Sequence, residues 1–253
     1  MAVIDKLRTI AIRAPGPISR VMDSIYKNIY LSYLGRGYRV YDLGDFRMKL
    51  NIHESEMMAQ RRFRSYESVI SEQIVSELDL GDTYVDIGSN HGYHVLEAAD
   101  QVGTSGRVIC FEPNPNNFKI LKENIELNKF DQVHPYPYAV CDRDEEISFA
   151  SGEKSGWGQI DETGEHRVKG TTFDTFCTEH PLSPNEIDLV KIDVEGEESA
   201  VLDGMNDFLS RSDDCLILIE VHDDVDIEHM ASTLIESNTT FEKLTNEFWR
   251  VEV

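Results

Sequence analysis

Residues 83–112 read TYVDIGSNHGYHVLEAADQVGTSGRVICFE, and how this stretch folds decides how the rest of the chain does. Tyr84-Val85-Asp86-Ile87 is an apolar run short enough for a strand buried on both faces. Gly88-Ser89-Asn90-His91-Gly92 makes a turn, after which Tyr93, Leu96 and Ala99 recur at helical spacing until Gly103 and Gly106 stop them. Arg107 to Phe111 gives a second buried strand ending on Glu112. The acid stands about twenty residues beyond the turn, where a carboxylate meets a ribose diol in strand–turn–helix–strand units.

The turn is GxNxG and not the GxGxxG of dinucleotide binders. Gly88 and Gly92 bring backbone N–H groups close to a ligand and pack the helix on its strand, but Asn90 occupies the place where a pyrophosphate would approach. The spacing therefore predicts a cofactor with a ribose and no phosphate, a description that S-adenosylmethionine fits. An ordinary tight turn would leave the alignment of Asp86, both glycines and Glu112 unexplained.

Working outward, Val69, Ile70, Ile74, Val75 and Leu78 predict a helix from Tyr66, stopped by Gly81, that feeds the first strand. On the other side Pro113-Asn114-Pro115 caps a helix carrying Phe118, Leu121 and Ile125 and ending near Asn128. Val133 to Val140 is a third strand, which Pro135 and Pro137 weaken and push towards a sheet edge or an irregular run. Residues 143–170 break the rhythm: Ile147–Ala150 and Val168–Phe173 form short strands around a loop with Gly152, Gly156, Trp157 and Gly158, the Trp serving as lid or hydrophobic pin. Ile187 to Asp193 is a fourth buried strand, and Val194-Glu195-Gly196 turns into a helix that Gly204 ends. Cys215 to Val221 is the strongest strand pattern. A helix through Ile227, Met230 and Leu234 and two closing strands, Phe241–Asn246 and Phe248–Val253, complete the chain with an antiparallel hairpin at the sheet edge. This order predicts an α/β fold, a Rossmann-like sheet of about seven strands.

Residues 1–39 differ from the rest. They hold seven basic residues against Asp5 and Asp23, a net +5, which leaves −28 on the remainder of a chain whose total is −23. Ile4, Leu7, Ile10 and Ile12, then Val21, Ile25, Ile29 and Leu34, predict two amphipathic helices broken at Ala14-Pro15-Gly16-Pro17. A basic amphipathic segment suits an anionic membrane surface; docking on the chain's own acidic domain is the other reading. Tyr38 to Ile52 reads as a hairpin turning at Leu43-Gly44-Asp45. The expected division is an extension, residues 1–65, and a catalytic domain, residues 66–253.

The acidity disfavours naked nucleic acid as a partner and fits a high-salt cytoplasm, where at about 1 M salt the Debye length falls to about 3 Å. Cys110, Cys141, Cys177 and Cys215 lack metal-ligand spacing and read as thiols in a reducing compartment. No run reaches the 18 or so apolar residues of a membrane span and no secretory signal is seen, so the expected location is the cytoplasm, with peripheral contact at the inner membrane face through residues 1–39.

The chain resembles the FkbM family of S-adenosylmethionine-dependent methyltransferases over roughly residues 66–222. The resemblance is carried by Tyr66-Glu67, VDIGSNHGYHV at 85–95, VICFEPNPNNFKILKENIELN at 108–128, Ala139-Val140, TTFDTF at 171–176, DLVKIDVEGEESAVLDGM at 188–205, and Glu220. It implies a class I methyltransferase fold, with Asp86, Gly88, Ser89, Asn90, Gly92 and Asp193 around the methionine moiety, Glu112 on both ribose hydroxyls, and Asn114 with the backbone of Ala139-Val140 bordering the adenine. His91 and His94 depart from the aliphatic and aromatic residues usual there and make the pocket wall more polar.

Methyl transfer from a sulfonium is an in-line displacement, so the protein mainly aligns the reactants, an effect worth up to about 7–11 kcal/mol. A hydroxyl acceptor also needs a base, and a carboxylate acceptor does not. Asp193, Glu195, Glu220 and His222 fall at the carboxyl ends of adjacent strands, where ligands bind in open α/β sheets. His222 is the first candidate base, since an unperturbed imidazole titrates near 6.5. Asp193 reads as an orienting group. Glu195 and Glu198 either belong to the site or answer the dipole of the following helix. Asp193, Glu220 and His222 have the donors for Mg²⁺ or Mn²⁺, but strand-end acids are common and no metal is assigned. A nucleic-acid amine acceptor calls for an Asn/Asp-Pro-Pro-aromatic tetrad where this chain has Asp193-Val194-Glu195-Gly196, which favours an oxygen on a sugar or carboxylate. Family analogy extends this to glycans and small secondary metabolites, and placement of residues 1–39 on a membrane would suit a lipid-linked glycan precursor. A non-catalytic binding module and a nicotinamide enzyme are the rival classes, opposed by Glu112 and by Asn90.

Overall fold

The computed structural model of the chain describes residues 37–51, 68–151, 158–160, 164, 166–222, 225–237 and 239–253. The expected helices before residue 37, Tyr66-Glu67, Trp157 and Asp223-Asp224 lie outside them. The chain divides into two compact units, residues 1–40 with 50–66 and residues 41–49 with 67–253. Only 37–40, 50 and 51 of the first unit are described. They include parts of β1 (Arg39–Asp42) and β2 (Arg47–Leu50), which form a two-stranded sheet. Leu43 N donates to Phe46 O at 3.0 Å, which closes the turn where the sequence placed it.

The second unit is built on a seven-stranded sheet. Its strands are β3 (Thr83–Ile87), β4 (Arg107–Phe111), β5 (Val133–Tyr136), β10 (Leu189–Ile192), β11 (Leu216–Glu220), β12 (Thr240–Lys243) and β13 (Phe248–Glu252), in the order β12-β13-β11-β10-β3-β4-β5. The central strands are parallel and in step: Ile87 pairs with Ile192 and with Phe111, and Ile192 with Ile219. Their carboxyl ends therefore finish level. β13 runs antiparallel between β11 and β12, so the closing hairpin enters the sheet with its second strand inward.

Alternate residues of these strands feed two cores. On one face Tyr84, Val108, Cys110 and Leu218 pack against α1 (Ser68–Glu77), α2 (Tyr93–Val102) and α3 (Pro115–Asn128) through Ile70, Ile74, Val95, Ala99, Leu121 and Ile125. On the other, Val85, Ile87, Ile109, Phe111, Ile192 and Ile219 meet α4 (Phe173–Glu179), α5 (Glu198–Asp203), α6 (Asn206–Arg211) and α7 (Ile227–Glu236) through Phe173, Phe176, Val201, Leu202, Phe208 and Met230. Strands covered on both faces read as continuous apolar runs, which is how they announced themselves in the sequence. All four cysteines are buried and unbridged.

Two expectations need correction. Val133 to Val140 is not one strand. β5 takes the sheet edge as its prolines require, and after Pro137 the chain leaves as β6 (Tyr138–Val140) for a four-stranded sheet with β7 (Glu146–Ser151), β8 (Gly158–Ile160) and β9 (His166–Thr171), ordered β6-β9-β7-β8. The strand expected through Phe173 stops at Thr171. There Thr172 caps α4, its side chain accepting from Thr175 N at 3.0 Å, and Asp174 accepts from the N–H groups of Asp207 and Phe208 at the start of α6. α4 and α6 are too short to show a helical period and were not foreseen.

Candidate active site

The Gly88–Gly92 turn leaves β3 at the level strand ends. Its N–H groups serve the fold: Gly88 N and Ser89 N both donate to Phe111 O, at 3.0 and 2.9 Å, and Gly92 N to Ser89 O at 2.8 Å. Gly88 (φ 89°) is required by a neighbour, for a Cβ there would stand 1.8 Å from the carbonyl oxygen of Asp193. At Gly92 (φ 88°) it would stand 2.4 Å from Leu121 Cδ1. Of the two roles expected of these glycines, the close packing is seen: they let β3, β10 and α3 come together. From outside, Asn124 Nδ2 donates to His91 O at 2.8 Å while its Oδ1 accepts from Lys49 N at 2.6 Å, tying turn, helix and hairpin strand.

Glu112 follows β4 and is buried. Its Oε2 accepts from Asn90 N at 2.7 Å and its Oε1 from Asn114 N at 2.8 Å. Burial pushes its carboxyl up to about 7 against the pull of those hydrogen bonds. Asn114 caps α3, with Oδ1 accepting from Asn116 N at 2.9 Å. Asn90 sits at φ 49°, and its buried Oδ1 has no hydrogen-bond partner. An orphaned acceptor beside a carboxylate held at two corners fits a ligand that brings its own donors. Ala139 and Val140 lie buried in β6, paired with Gly170 and Thr171 of β9. Ser89 Oγ donates to Asp86 O at 3.0 Å. The Asp86 side chain lies beneath the turn, accepting from Tyr84 Oη at 3.3 Å. His91 is buried too, and burial lowers it to about 4, so it stays neutral.

At the end of β10, the strand paired with β3, stands a second group. Lys191, directly opposite Asp86 in the register, reaches Asp193 Oδ2 at 2.8 Å and Asp86 Oδ1 at 3.8 Å. Burial works against the charge on Asp193, but Lys191 and His222 outweigh it and hold that carboxyl below its usual range. Glu195 follows in the left-handed region at φ 55°, and burial together with Asp193 pushes it up to about 7. His222, past the end of β11, turns Nδ1 to Glu198 Oε1 at 2.7 Å and Nε2 to Glu195 Oε2 at 3.4 Å and Asp193 Oδ1 at 3.9 Å. Burial opposes its charge, yet the Glu198 bond and the three carboxylates raise it to about 9. The imidazole expected near 6.5 thus holds its proton at neutral pH.

The structure brings Asp193, Glu195 and His222 into one cluster. Glu220 ends β11, but the third carboxylate that meets the histidine is Glu198, fully buried at the first turn of α5. Lys191 was passed over as part of a buried strand. Its signal was a lone cation among Val190, Ile192 and Leu189 with an aspartate two residues on, on the same face.

Comparison with known proteins bears on this site. The sequence profile described as "Methyltransferase FkbM domain" matches residues 86–243. Hexuronic acid methyltransferase AglP of Haloferax volcanii is 29% identical over 193 residues, covering 74% of this chain and 75% of that protein. The 2-O-methyltransferase NoeI of Sinorhizobium fredii is 28% identical over 164 residues, 56% of this chain and 65% of that one. The crystal structure of methyltransferase FkbM from Methylobacillus flagellatus superposes with a TM-score of 0.50 at 13% identity, over 99% of this chain and 58% of that one, and shares its fold.

Proposed function

This chain belongs to the FkbM methyltransferase family, and we propose that it transfers the methyl group of S-adenosylmethionine to an oxygen of a sugar, either a hydroxyl or a carboxylate. The observation that carries the reading is the pairing of two sites on one level sheet edge: a buried carboxylate held by two N–H groups at the end of β4, and an acid–imidazole cluster at the ends of β10 and β11. Both named relatives act on oxygen-rich acceptors by their descriptions, a hexuronic acid and a 2-O position.

Bound there, S-adenosylmethionine supplies an electrophilic methyl carbon on a sulfonium. Glu112 accepts from both ribose hydroxyls, each charge-assisted bond worth about 1.5–3 kcal/mol. Asn90 Oδ1 takes a donor of the methionine moiety near Asp86, Gly88, Ser89, Gly92 and Asp193, and Asn114 with Ala139-Val140 borders the adenine. Asp193, Glu195 and His222 form the acceptor side. For a hydroxyl acceptor the Glu195 carboxylate, raised to about 7, would take the proton while His222, already protonated, orients it; a carboxylate acceptor would need only to be aligned. The domain from residue 66 onward carries the chemistry, and the basic segment 1–39 provides peripheral contact with an anionic membrane face where a lipid-linked acceptor is presented.

Calorimetry with S-adenosylhomocysteine and with NAD tests the cofactor: the first binds and the second does not. For the acceptor side, His222→Ala lowers kcat on a sugar acceptor far more than it raises the cofactor Kd. A variant with wild-type turnover removes His222 from the reaction.

A further inference from the structure

We propose that Asp193 Oδ1, Glu195 Oε2 and His222 Nε2 bind one divalent transition-metal ion, with a coordination position left for an oxygen ligand. One donor atom of each residue lies within 4.8 Å of the other two. The separations from Nε2, 3.4 Å to Glu195 and 3.9 Å to Asp193, are longer than ordinary hydrogen bonds, so the atoms converge without satisfying one another. Metal bonds of about 2.0–2.2 Å at tetrahedral angles set donor atoms about 3.3–3.6 Å apart, against 3.4 and 3.9 Å from Nε2 here.

The remaining atoms of these side chains are already committed, which fixes the direction of the ones left. Asp193 Oδ2 accepts from Lys191 Nζ at 2.8 Å, and His222 Nδ1 is held by Glu198 Oε1 at 2.7 Å. A ligand histidine held at its far nitrogen by a carboxylate is the usual outer support of a metal site. Glu198 is fully buried, and its Oε2 beside the cluster has no hydrogen-bond partner. Around this point four carboxylates, Asp86, Asp193, Glu195 and Glu198, face Lys191 and the imidazoles of His222 and His94. Gathering four carboxylates in a buried place is costly, and a bound divalent ion offsets it. One imidazole with two carboxylates suits Mn²⁺ or Zn²⁺ better than Mg²⁺ or Ca²⁺. What the ion does rests on the methyltransferase reading, since a sugar hydroxyl or carboxylate oxygen then fills its open position. Whether it binds does not.

The test is titration of the full-length protein with MnCl₂ in excess MgCl₂, which occupies weak surface carboxylates, with free Mn²⁺ followed by electron paramagnetic resonance. One saturable site per chain is expected. It weakens about tenfold or more in Glu195→Gln and His222→Ala, and about 10–100-fold in Glu198→Gln, whose carboxylate touches the imidazole and not the ion. S-adenosylhomocysteine binding to the same samples stays as in the wild type, which reports the fold and keeps this outcome separate from that of the cofactor site. Binding that Mg²⁺ displaces fully in the wild type, or tight binding that survives both Glu195→Gln and His222→Ala, overturns the proposal.

Discussion

Glu112 accepts two backbone N–H groups in a place closed to water, and the two effects pull its proton affinity in opposite directions. Burial wins, and the carboxyl rises from 4.5 to about 7. The native state then binds more protons than the unfolded chain between those values, so Glu112 favours folding below about 4.5 and that contribution is lost as pH climbs to 7. Glu112→Gln should gain stability relative to the wild type across that interval, read by denaturant unfolding at several pH values. His91 works the other way. Its proton affinity, lowered to about 4 by burial, makes its contribution complete above 6.5 and lost as pH falls. On the proposed reading, in which Glu112 holds the ribose, the same carboxyl must be ionised to accept two hydroxyls. Affinity for S-adenosylhomocysteine should therefore rise about tenfold per pH unit below 7 and level off above it, measured by calorimetry. Glu112→Ala should weaken that binding about tenfold or more with an unchanged circular dichroism spectrum; unchanged affinity would put the ribose elsewhere.

At the scale of elements, the turn after β3 and the chain leaving β10 are fitted to one another. Gly88→Ala sets a methyl group against the Asp193 carbonyl and holds alanine at φ 89°, so a loss of about 3–5 kcal/mol is expected from overpacking and strain together. Gly196→Ala has a φ of 106° but meets nothing within 4 Å, so its loss should be only about 1–2 kcal/mol. Thermal or denaturant unfolding of both variants separates packing from strain. The same elements show what a reader of the sequence could reach. β3, β4, β10 and β11 were legible because burial on both faces makes them apolar but for a few residues such as Asp86 and Lys191, and Glu112 and the glycines because their spacing is set by one turn and one helix. The split of β5 from β6, and the helix α4 after Thr172, were not legible, because their causes lie in distant partners: the β9 backbone for β6, and the α6 N-terminus for Asp174. Glu198's hold on His222 was hidden for the same reason, since 24 residues separate them.

For the molecule as a whole the charge is the dominant fact. A net charge of −23 repels itself in dilute buffer, and stability should increase from low to molar salt, checked by melting temperature against NaCl concentration. Residues 1–39 oppose that charge with +5, and each basic residue near an anionic surface contributes up to about 1 kcal/mol at ordinary ionic strength. Among the described residues no helix is long and apolar enough to cross a membrane. The full-length protein should co-sediment with anionic vesicles, and a chain beginning at Gly37 should not. Sedimentation of neither, with lower thermal stability of the shortened chain, would instead assign the segment to the protein's own acidic surface. The level strand ends have one more consequence, for how such chains can diversify. Every residue assigned to the cofactor's ribose and adenine lies before position 141, and the acid–imidazole cluster lies after position 189. The seam between them is the β3–β10 ladder, where Val85 meets Val190 and Ile87 meets Ile192. A single genetic crossover between those positions would exchange one acceptor preference for another and hand on the nucleoside pocket as an intact inheritance, provided the aliphatic residues along that seam match.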